Sequence, residues 1–462
     1  MRLTAQYQND RGTNNSFELI FGASFCIKER TTMRTKEDIL NLIDEEGVEF
    51  IRLQFTDIFG RLKNIAVTPG QMERVFANRY SFAGSAAFGD RYSFDDRLYL
   101  YPDLDTFMIL PWRPQQGKVA KVVCDICLED GTPFEMCSRN ILKKALKKVS
   151  EKGYEATVYT ENEFFLFHSD ENGLPTTTSH ELAGYLDVGP VDFGENARRD
   201  IVLMLEEMGF EIESSHHEAA PAQHEVDFAA AEALETADSI QTFRFAVRSI
   251  AKRFGLYATF MPKPKTDVAG SGMHLTITLS KDGKNIFRNA DNTPSKEAYA
   301  FIAGILNHAK ALTAISNPSV NSYKRLLGGY EAPNAVVWST KGEKALVKLV
   351  SDMEDTKIEL RFPDGSSNPY LVLATCLTAG LDGLDKNLDP GKECTTCEAL
   401  AKADVLPENL KDAVIELKKD EIISDSLGKE FLKVYEEIKN TEWKDYMTRV
   451  SDWELETYLT KI

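Results

Sequence analysis

Long apolar runs are missing from this chain. No stretch of about 18 consecutive apolar residues occurs, so the sequence predicts no membrane-spanning helix. Positive charge is also scarce, because 54 Lys and Arg stand against 72 Asp and Glu, a formal net charge of −18. That balance disfavours nucleic acid or an anionic membrane as the main partner, since both repel an acidic surface. The pattern G-x-x-x-x-G-K-[ST] is absent as well, which excludes a P-loop nucleotide site.

Cysteine is sparse, with seven residues spread along the chain. Two C-x-x-C pairs, Cys124/Cys127 and Cys394/Cys397, are compatible with a zinc site. The first pair, however, lies in KVVCDICLE, which alternates like a strand, where residues three apart point to opposite faces. The pattern therefore favours reduced thiols in a cytoplasmic protein.

What the chain does contain is a two-part α+β pattern. From 36 to 130 one helix precedes about five strand-like segments, with a turn at Gly60, and this order is typical of a small α+β domain. The predicted division is an extension of uncertain order at 1–32, a small domain at 33–132 and a large domain at 133–462.

Helices and strands alternate in the large domain. Ser138 is expected to cap its first helix, which Gly153 ends. Further helices are predicted at about 194–208, at about 236–254, and from Thr293–Pro294 to about 313. The C-terminal third is expected to be mostly helical.

Acidic residues recur in strand-like segments of the large domain. Glu161 and Glu163 lie two residues apart in VYTENEFFLF, so both face one side of a strand. Like charges held that close repel unless a cation lies between them. The further candidate metal ligands are Glu218, Glu225, His274 and Glu359. Five carboxylates and one imidazole suit two hard divalent cations such as Mg²⁺ or Mn²⁺, and paired cations suit phosphoryl transfer.

Histidines offer a second interpretation of the same region. In SSHHEAAPAQHEVDF, three histidines flank Glu218 and Glu225. By chemistry alone, His216, His217 and His224 are also suitable ligands for Zn²⁺.

Three motifs, together with this set of ligands, resemble the glutamine synthetase family, specifically its bacterial type I class. HHEAAPAQHE is similar to H-H-E-x-x-P-G-Q-H-E, AGSGMH to N-G-S-G-M-H, and NSYKRLLGGYEAP to N-S-Y-K-R-L-V-P-G-Y-E-A-P. The resemblance runs from about Met33 to the C-terminus. It implies an α+β fold in which a small N-terminal β-grasp domain precedes a large catalytic domain with a curved antiparallel sheet and helices.

The resemblance also implies roles for single residues. Glu161 and Glu163 would each serve one of two metals, and the glutamates of the histidine-rich segment, not its histidines, would hold metal. Arg325 would grip the carboxylate of glutamate, a task that suits a guanidinium fork. Gly270 and Arg361 would complete the substrate site. Glu331 would lie on the flap that covers the site.

Three departures from the family pattern concern the reacting groups. The loop M-F-D-G-S-S of the family is SFAGSAAF here, so Ala83 replaces the aspartate that binds ammonium. Ala269 replaces an asparagine that contacts glutamate. The segment N-R-S…R-I-P, whose arginines meet phosphates, is replaced by KGEKALVKLVSD. Its lysines supply charge without the guanidinium fork, and those that could meet the nucleotide are Lys341, Lys344 and Lys348.

The sequence therefore predicts an ATP-dependent ligase that forms an amide at the γ-carboxylate of glutamate with ammonia or another amine. The alternative is a catalytically weak homologue that binds nucleotide or amino acid as a regulatory protein. Two Mg²⁺ or Mn²⁺ ions per site, ATP as co-substrate and a cytoplasmic location are expected. A homo-oligomer, a dodecamer of two hexameric rings, follows from the resemblance.

Overall fold

The computed structural model of the protein describes residues 33–89, 96–113 and 116–462. The predicted extension at 1–32 lies outside these residues.

The N-terminal part is a five-stranded sheet with one long helix, α1 (Lys36–Glu46), packed against it. Its strands are β1 (Val48–Thr56), β2 (Leu62–Val67), β3 (Ser81–Ala83), β4 (Arg97–Ile109) and β5 (Lys118–Cys127). The strand order is β2-β1-β5-β4-β3, with β1 and β5 parallel and the other pairs antiparallel. Two short helices, α2 (Met72–Phe76) and α3 (Ser85–Phe88), lie in the connections. This is the small α+β unit that the sequence predicts.

Local sequence explains both ends of α1. Thr35 and Asp38 form a reciprocal capping box at its start. Gly47 ends the helix with φ 63°, a left-handed conformation that favours glycine.

A second sheet of nine strands forms the framework of the larger part. Its strands are β6 (Glu155–His168), β7 (Ile212–His217), β8 (Gln223–Glu232), β9 (Leu256–Thr259), β10 (Met273–Lys281), β11 (Lys284–Asn285), β12 (Ala335–Ser339), β13 (Ala345–Ser351) and β14 (Thr356–Leu360). The main order is β12-β13-β14-β10-β6-β8-β7, with β11 paired to β10 and β9 to β6. The strand pairs of this sheet are antiparallel, as predicted, except that β12 and β13 run parallel, so the sheet is mixed.

Helices surround this sheet. They are α4 (Ser138–Glu151), α5 (Glu195–Glu207), α6 (Ala233–Ala251), α7 (Lys296–Ser316), α8 (Val320–Leu326), α9 (Pro369–Lys386), α10 (Cys397–Ala401), α11 (Leu410–Lys419), α12 (Glu421–Leu427), α13 (Lys429–Met447) and α14 (Asp452–Tyr458). The fold is α+β, a small β-grasp N-terminal domain followed by a large domain of sheet and helices, and the C-terminal third is mostly helical, as predicted.

Two predicted helix starts are wrong. Ser138 is the first residue of α4 and not its cap, and its hydroxyl has no hydrogen-bond partner. Helix α7 begins at Lys296, where the Ser295 side chain accepts from the Ala298 amide. Thr293 and Pro294 precede this cap, because they belong to a turn closed by the Asn289 amide on the Thr293 carbonyl.

Helices α7 and α9 form the centre of the core. They approach closely at glycines, because a Cβ at Gly304 would lie 2.1 Å from the Ala379 carbonyl oxygen. Among the described residues, α7 has the length and the apolar composition of a membrane-spanning helix. However, 78% of its most apolar 18-residue stretch is buried inside the protein. A core helix passes the same test, so this helix is explained by packing.

The cysteines of the described chain are free thiols. Cys124, Cys127, Cys137 and Cys376 are buried, and burial raises their thiol pKa values. Cys394 is half-buried and Cys397 is exposed. In the parts that the structure describes, no cysteine belongs to a group that could hold a metal ion.

Candidate active site

Neighbouring strands of the second sheet carry acidic side chains on one face. Glu161 on β6 lies opposite His274 on β10 and opposite Asp227 on β8. Glu163, two residues further along β6, lies opposite Glu225 on β8. Alternate residues of a strand, and residues directly opposite across a pair, share a face. The five side chains therefore project from the same side of the sheet.

Glu161, His274 and Glu359 form a group that we call the histidine cluster. The His274 Nδ1 lies 2.7 Å from the Glu161 Oε2 and 3.7 Å from the Glu359 Oε1, and one ligand atom of each residue lies within 4.8 Å of the others. Burial alone would raise the pKa of Glu161, but the hydrogen bond and charge of His274, with two nearby cations, lower it overall. Three of the six predicted metal ligands are thus brought together.

Glu163, Glu218 and Glu225 form a second group, the carboxylate cluster. Gln223 Nε2 donates to the Glu163 Oε2 at 2.6 Å, and His216 lies 3.5 Å from Glu218 and 3.4 Å from Glu225. Burial and the charge of Glu163 raise the pKa of Glu225, and they raise that of Glu218 to about 7. The carboxylates therefore have too little positive charge around them, which a bound cation would supply.

The two clusters meet at Gly272. A Cβ at this position would lie 3.0 Å from the Glu163 Oε1, 3.1 Å from the His274 Nε2 and 2.7 Å from the Arg325 Nη2. Members of both clusters and one guanidinium thus converge on a small volume that glycine leaves open. Five carboxylates and one imidazole around such a volume fit a pair of hard divalent cations.

Arg325 lies in the last turn of α8 and is buried. Its Nη1 donates to the carbonyl oxygens of Phe362 at 3.0 Å and Pro363 at 3.3 Å, and its Nη2 to that of Arg361 at 3.1 Å. These contacts fix the guanidinium beside Glu163. The predicted substrate residue is therefore part of the site, held in place by backbone carbonyls.

Arg361, predicted to belong to the substrate site, is surrounded by carboxylates of the protein. Its guanidinium forms ion pairs with Glu359 and, at 3.1 Å, with Glu343, and its Nε donates to the Glu343 carbonyl oxygen. It therefore supports the histidine cluster from the side of β14. Its positive charge lies next to two carboxylates and is already partly neutralised.

Gly270 allows a close approach of backbone. A Cβ there would lie 2.2 Å from the Pro262 carbonyl oxygen, which accepts from the Ser271 amide at 2.9 Å. The Gly270 carbonyl oxygen accepts from Gln223 Nε2 at 3.2 Å, the same amide that donates to Glu163. The glycine loop is thus fastened to the carboxylate cluster.

The three predicted nucleotide lysines do not stay together. Lys348 on β13 is half-buried, 2.9 Å from Glu343 and 3.9 Å from Glu359, at the edge of the histidine cluster. Lys341 and Lys344 are exposed in the turn before β13. Only Lys348 therefore contacts the acidic site.

Glu331 is exposed and follows α8. Burial raises the pKa values of Glu218 and Tyr185, and the charge of Glu331 adds to both shifts, which places Glu331 near these groups. Tyr185 packs edge-on against His216, with ring centroids 5.5 Å apart.

Sequence reasoning missed Asp227, Tyr185 and a structural role for His216. Asp227 repeats, two residues after Glu225, the spacing of the E-x-E pair, so alternation on β8 was a usable signal. His216 and Asp227 join Glu225 in one group of potential ligands. Tyr185 lies in a loop, where no periodicity indicates which way a side chain points.

The substituted positions lie at two different places. Ala83 ends β3, the edge strand of the first sheet. Ala269 packs against a small apolar cluster that contains Phe165 and Phe167. Within one chain, Ala83 and the acidic clusters are therefore on separate sheets.

Two family models match the chain. One describes the glutamine synthetase β-grasp domain and matches residues 47–129, and the other describes the glutamine synthetase catalytic domain and matches residues 135–458. The chain belongs to the glutamine synthetase family.

Similar proteins with known names and structures support membership of this family. A glutamine synthetase from Clostridium saccharobutylicum is 52% identical over 92% of this chain and 99% of its own length. A glutamine synthetase from Staphylococcus aureus (strain Mu50 / ATCC 700699) is 44% identical over 92% of this chain and 98% of its own. A solved structure described as "GmaS/ADP complex-Conformation 1" aligns with TM-score 0.84 and 33% identity, covering 91% of this chain and 99% of that one. These homologues imply a glutamate ligase.

Proposed function

We propose that the protein is an ATP-dependent ligase that forms an amide at the γ-carboxylate of glutamate with ammonia or another amine, through γ-glutamyl phosphate. The observation that carries this proposal is the convergence of Glu163, His274 and Arg325 on the space at Gly272. A scaffold without chemistry has little use for five carboxylates on one face of a sheet, because their mutual repulsion costs stability. The relatives named glutamine synthetase support the same reaction class.

The metal ligands of the proposal are the residues of the two clusters. The histidine cluster would hold one Mg²⁺ or Mn²⁺ and the carboxylate cluster the other. When bound, such ions would neutralise the charge of the polyphosphate and of the phosphoryl group in transfer. Lys348 would add positive charge on the same side, with Lys341 and Lys344 available to the nucleotide from the exposed turn.

The proposed reaction has two steps. The γ-phosphoryl group of ATP moves to an oxygen of the glutamate γ-carboxylate, and ADP leaves. The amine nitrogen then bonds to the acyl carbon, phosphate leaves, and the nitrogen loses one proton. Arg325 would orient glutamate. Glu331 and Tyr185, beside the carboxylate cluster, would border the place where a cationic amine gathers and gives up its proton to Glu331. Carboxylates suit this role because they attract the ammonium form and accept its proton.

The choice of amine is the finer part of the proposal. Ala83 carries no carboxylate where the family has the ammonium-binding aspartate. A general base typically contributes about a hundred- to ten-thousand-fold to rate. Ammonia should therefore be a slow nucleophile, and a primary amine with an apolar part should be better.

An amine panel tests this choice. Phosphate release with glutamate and ATP would be compared for ammonium, methylamine, ethanolamine and polyamines, in wild type and in Ala83→Asp. We expect an amine to exceed ammonium in wild type, and Ala83→Asp to raise the ammonium rate. If ammonium is best in wild type and the substitution does not improve it, the enzyme is an ordinary glutamine synthetase. If no amine supports turnover, the alternative of a weak regulatory homologue is favoured.

The proposal includes the assembly and the location. The β-grasp domain at 33–132 would complete the active site of a neighbour's catalytic domain at 133–462, in a dodecamer of two hexameric rings in the cytoplasm. Light scattering at physiological salt would give a mass about twelve times that of one chain. A monomer at micromolar concentration would contradict the shared site.

A further inference from the structure

A large cavity lies away from the acidic face, between the first sheet and the helices of the larger part. Its volume is about 750 Å³, within the range of sites that hold small organic molecules. Its walls come from β1 and β2 with their connecting turn, from α6, from the segment after β9, from residues 315–321 and 365–371, and from α13. None of the residues of the histidine cluster or the carboxylate cluster lines it.

The lining is strongly cationic in a chain of net charge −18. One lining residue, Glu442, is acidic. The cationic lining residues are Arg52, Arg61, Lys63, Arg244, Arg248 and Lys439. Such an excess in a concave, partly desolvated space creates a positive potential that attracts anions.

Two of these cations already have acidic partners. Lys439 Nζ lies 3.0 Å from Glu442 Oε2, and Lys63 Nζ lies 3.6 Å from Asp57 Oδ2. Within the described residues, none of the four arginines has a carboxylate oxygen within ion-pair distance. The cavity thus keeps four guanidinium groups whose charge no side chain of the described chain neutralises directly.

Arg244 and Arg248 form the innermost pair. They are one turn apart on α6, so they lie on the same side of the helix. Arg244 is buried and donates to the Ser367 carbonyl oxygen at 2.7 Å, while Arg248 is stacked over Phe260 at 5.0 Å. Burial lowers the pKa of both groups, and the charge of Arg248 lowers that of Arg244 further. An anion between them would relieve this repulsion.

Asn368 provides an independent observation. Its side chain is 4% exposed and lines the cavity, and its Nδ2 has no hydrogen-bond partner among the described residues. A buried amide donor without an acceptor is unfavourable, so such donors normally meet a ligand or water. The Asn368 amide and the four guanidinium groups are therefore hydrogen-bond donors that an anion in the cavity could accept from.

We infer that this cavity is a second ligand site, which binds a small organic anion with at least two carboxylate or phosphate groups. Arg248 and Arg61 grip the anionic groups, since guanidinium forks pair with both chemistries at two points. Arg244 and Asn368 donate from the floor. The site is separate from the proposed catalytic site and requires neither its metals nor its substrates.

The test is anion binding to the full-length protein without added metal, measured by calorimetry at constant ionic strength. The probes are citrate, pyrophosphate, and inorganic phosphate as a single small anion. Metal is left out because the acidic clusters without cations repel anions, so that binding reports on the cavity. Wild type should bind citrate or pyrophosphate saturably and inorganic phosphate more weakly. Tighter binding of citrate would indicate a polycarboxylate ligand, and tighter binding of pyrophosphate would indicate a polyphosphate ligand.

Arg248→Gln is the test variant and Lys252→Gln its control, because Lys252 is exposed, four residues away and outside the cavity. Loss of a charge-assisted contact should weaken binding about ten- to a hundredfold in Arg248→Gln. Arg248→Lys should lie between, and Lys252→Gln should bind like wild type. Unchanged affinity in a folded Arg248→Gln, or no saturable binding by wild type, would overturn the inference. An equal loss in Lys252→Gln would show general charge attraction and overturn it too.

Discussion

Gly272 lies at the point where the two acidic clusters meet. Its missing side chain leaves the space that Glu163, His274 and Arg325 share. Gly272 does not have a positive φ, so alanine is compatible with its backbone and any effect of substitution comes from the added atom.

Gly272→Ala should therefore separate activity from folding. The added methyl group meets three charged or polar groups closer than normal contact, an overpacking that typically costs about 1–3 kcal/mol. We expect a folded protein that has lost at least a hundredfold of its ATP turnover. Circular dichroism and phosphate release would measure the two properties. Gly70→Ala is the matched control, because Gly70 also lacks a positive φ and a Cβ there would meet no atom within 4 Å. Full turnover in Gly272→Ala would contradict the shared space.

Some site residues could be predicted from sequence patterns and others could not. The E-x-E alternation predicted that Glu161 and Glu163 share a face, because strand geometry has a period of two. The ion pair of Arg361 with Glu343 could not be predicted. Glu343 lies in the turn before β13, and only the folded chain brings that turn next to Arg361. Arg325 was assigned to the site by resemblance, and its three carbonyl contacts depend on the path of residues 361–363, which no local pattern encodes.

Among the elements, helices α7, α9 and α12 are tied together at His308. Its Nδ1 lies 2.6 Å from Asp420 Oδ2 and its Nε2 lies 3.2 Å from Asp382 Oδ2. Asp420 also caps α12. Burial alone would lower the pKa of His308, but the hydrogen bonds and charges of both aspartates raise it above the ordinary value of 6.5.

This shift gives the stability of the helical layer a predictable pH dependence. A raised folded-state pKa contributes stability that is fully present below pH 6.5 and is lost as the pH rises through the raised value. His308→Gln should therefore destabilise the protein more at pH 6 than at pH 9. Urea midpoints of wild type and variant at the two pH values measure this, with His180→Gln as a control at an exposed histidine. A larger effect at pH 9 would contradict the assigned charge.

Element boundaries show the same limits of sequence reasoning. The strands around Gly60 and the helix at 36–46 were predictable from alternation and capping residues. The start of α4 was not, because Ser138 is a favourable cap by type but lies one residue inside the helix. The parallel pair β12–β13 was missed because strand direction depends on a connection and not on side-chain periodicity.

At the scale of the whole molecule, Arg139 on α4 joins the first sheet to helix α6 of the larger part. It is 3% exposed and forms ion pairs of 2.7 Å with Asp103 on β4, 2.7 Å with Asp125 on β5 and 2.8 Å with Asp238 on α6. The Tyr370 hydroxyl donates to Asp238 at 2.7 Å, which adds α9.

Arg139→Gln should be among the most destabilising polar substitutions in the chain. Removing one partner of a buried ion-pair network leaves uncompensated charges and typically costs about 3–5 kcal/mol. Thermal unfolding followed by circular dichroism would show a lower Tm than wild type. Arg253→Gln, at an exposed arginine, is the control and should melt like wild type. Equal melting of both variants would mean that the network contributes no net stability.

We propose that the acidic face of the second sheet makes this chain a glutamate ligase. The most direct measurement follows ATP, glutamate and an amine in the presence of Mg²⁺, with phosphate release and the mass of the amide product recorded together. Wild type and Glu171→Gln, altered at an exposed glutamate outside both clusters, should form one amide per phosphate. Glu163→Gln should form neither. Amide formation at the wild-type rate by Glu163→Gln, or phosphate release by wild type without any amide, would contradict the account.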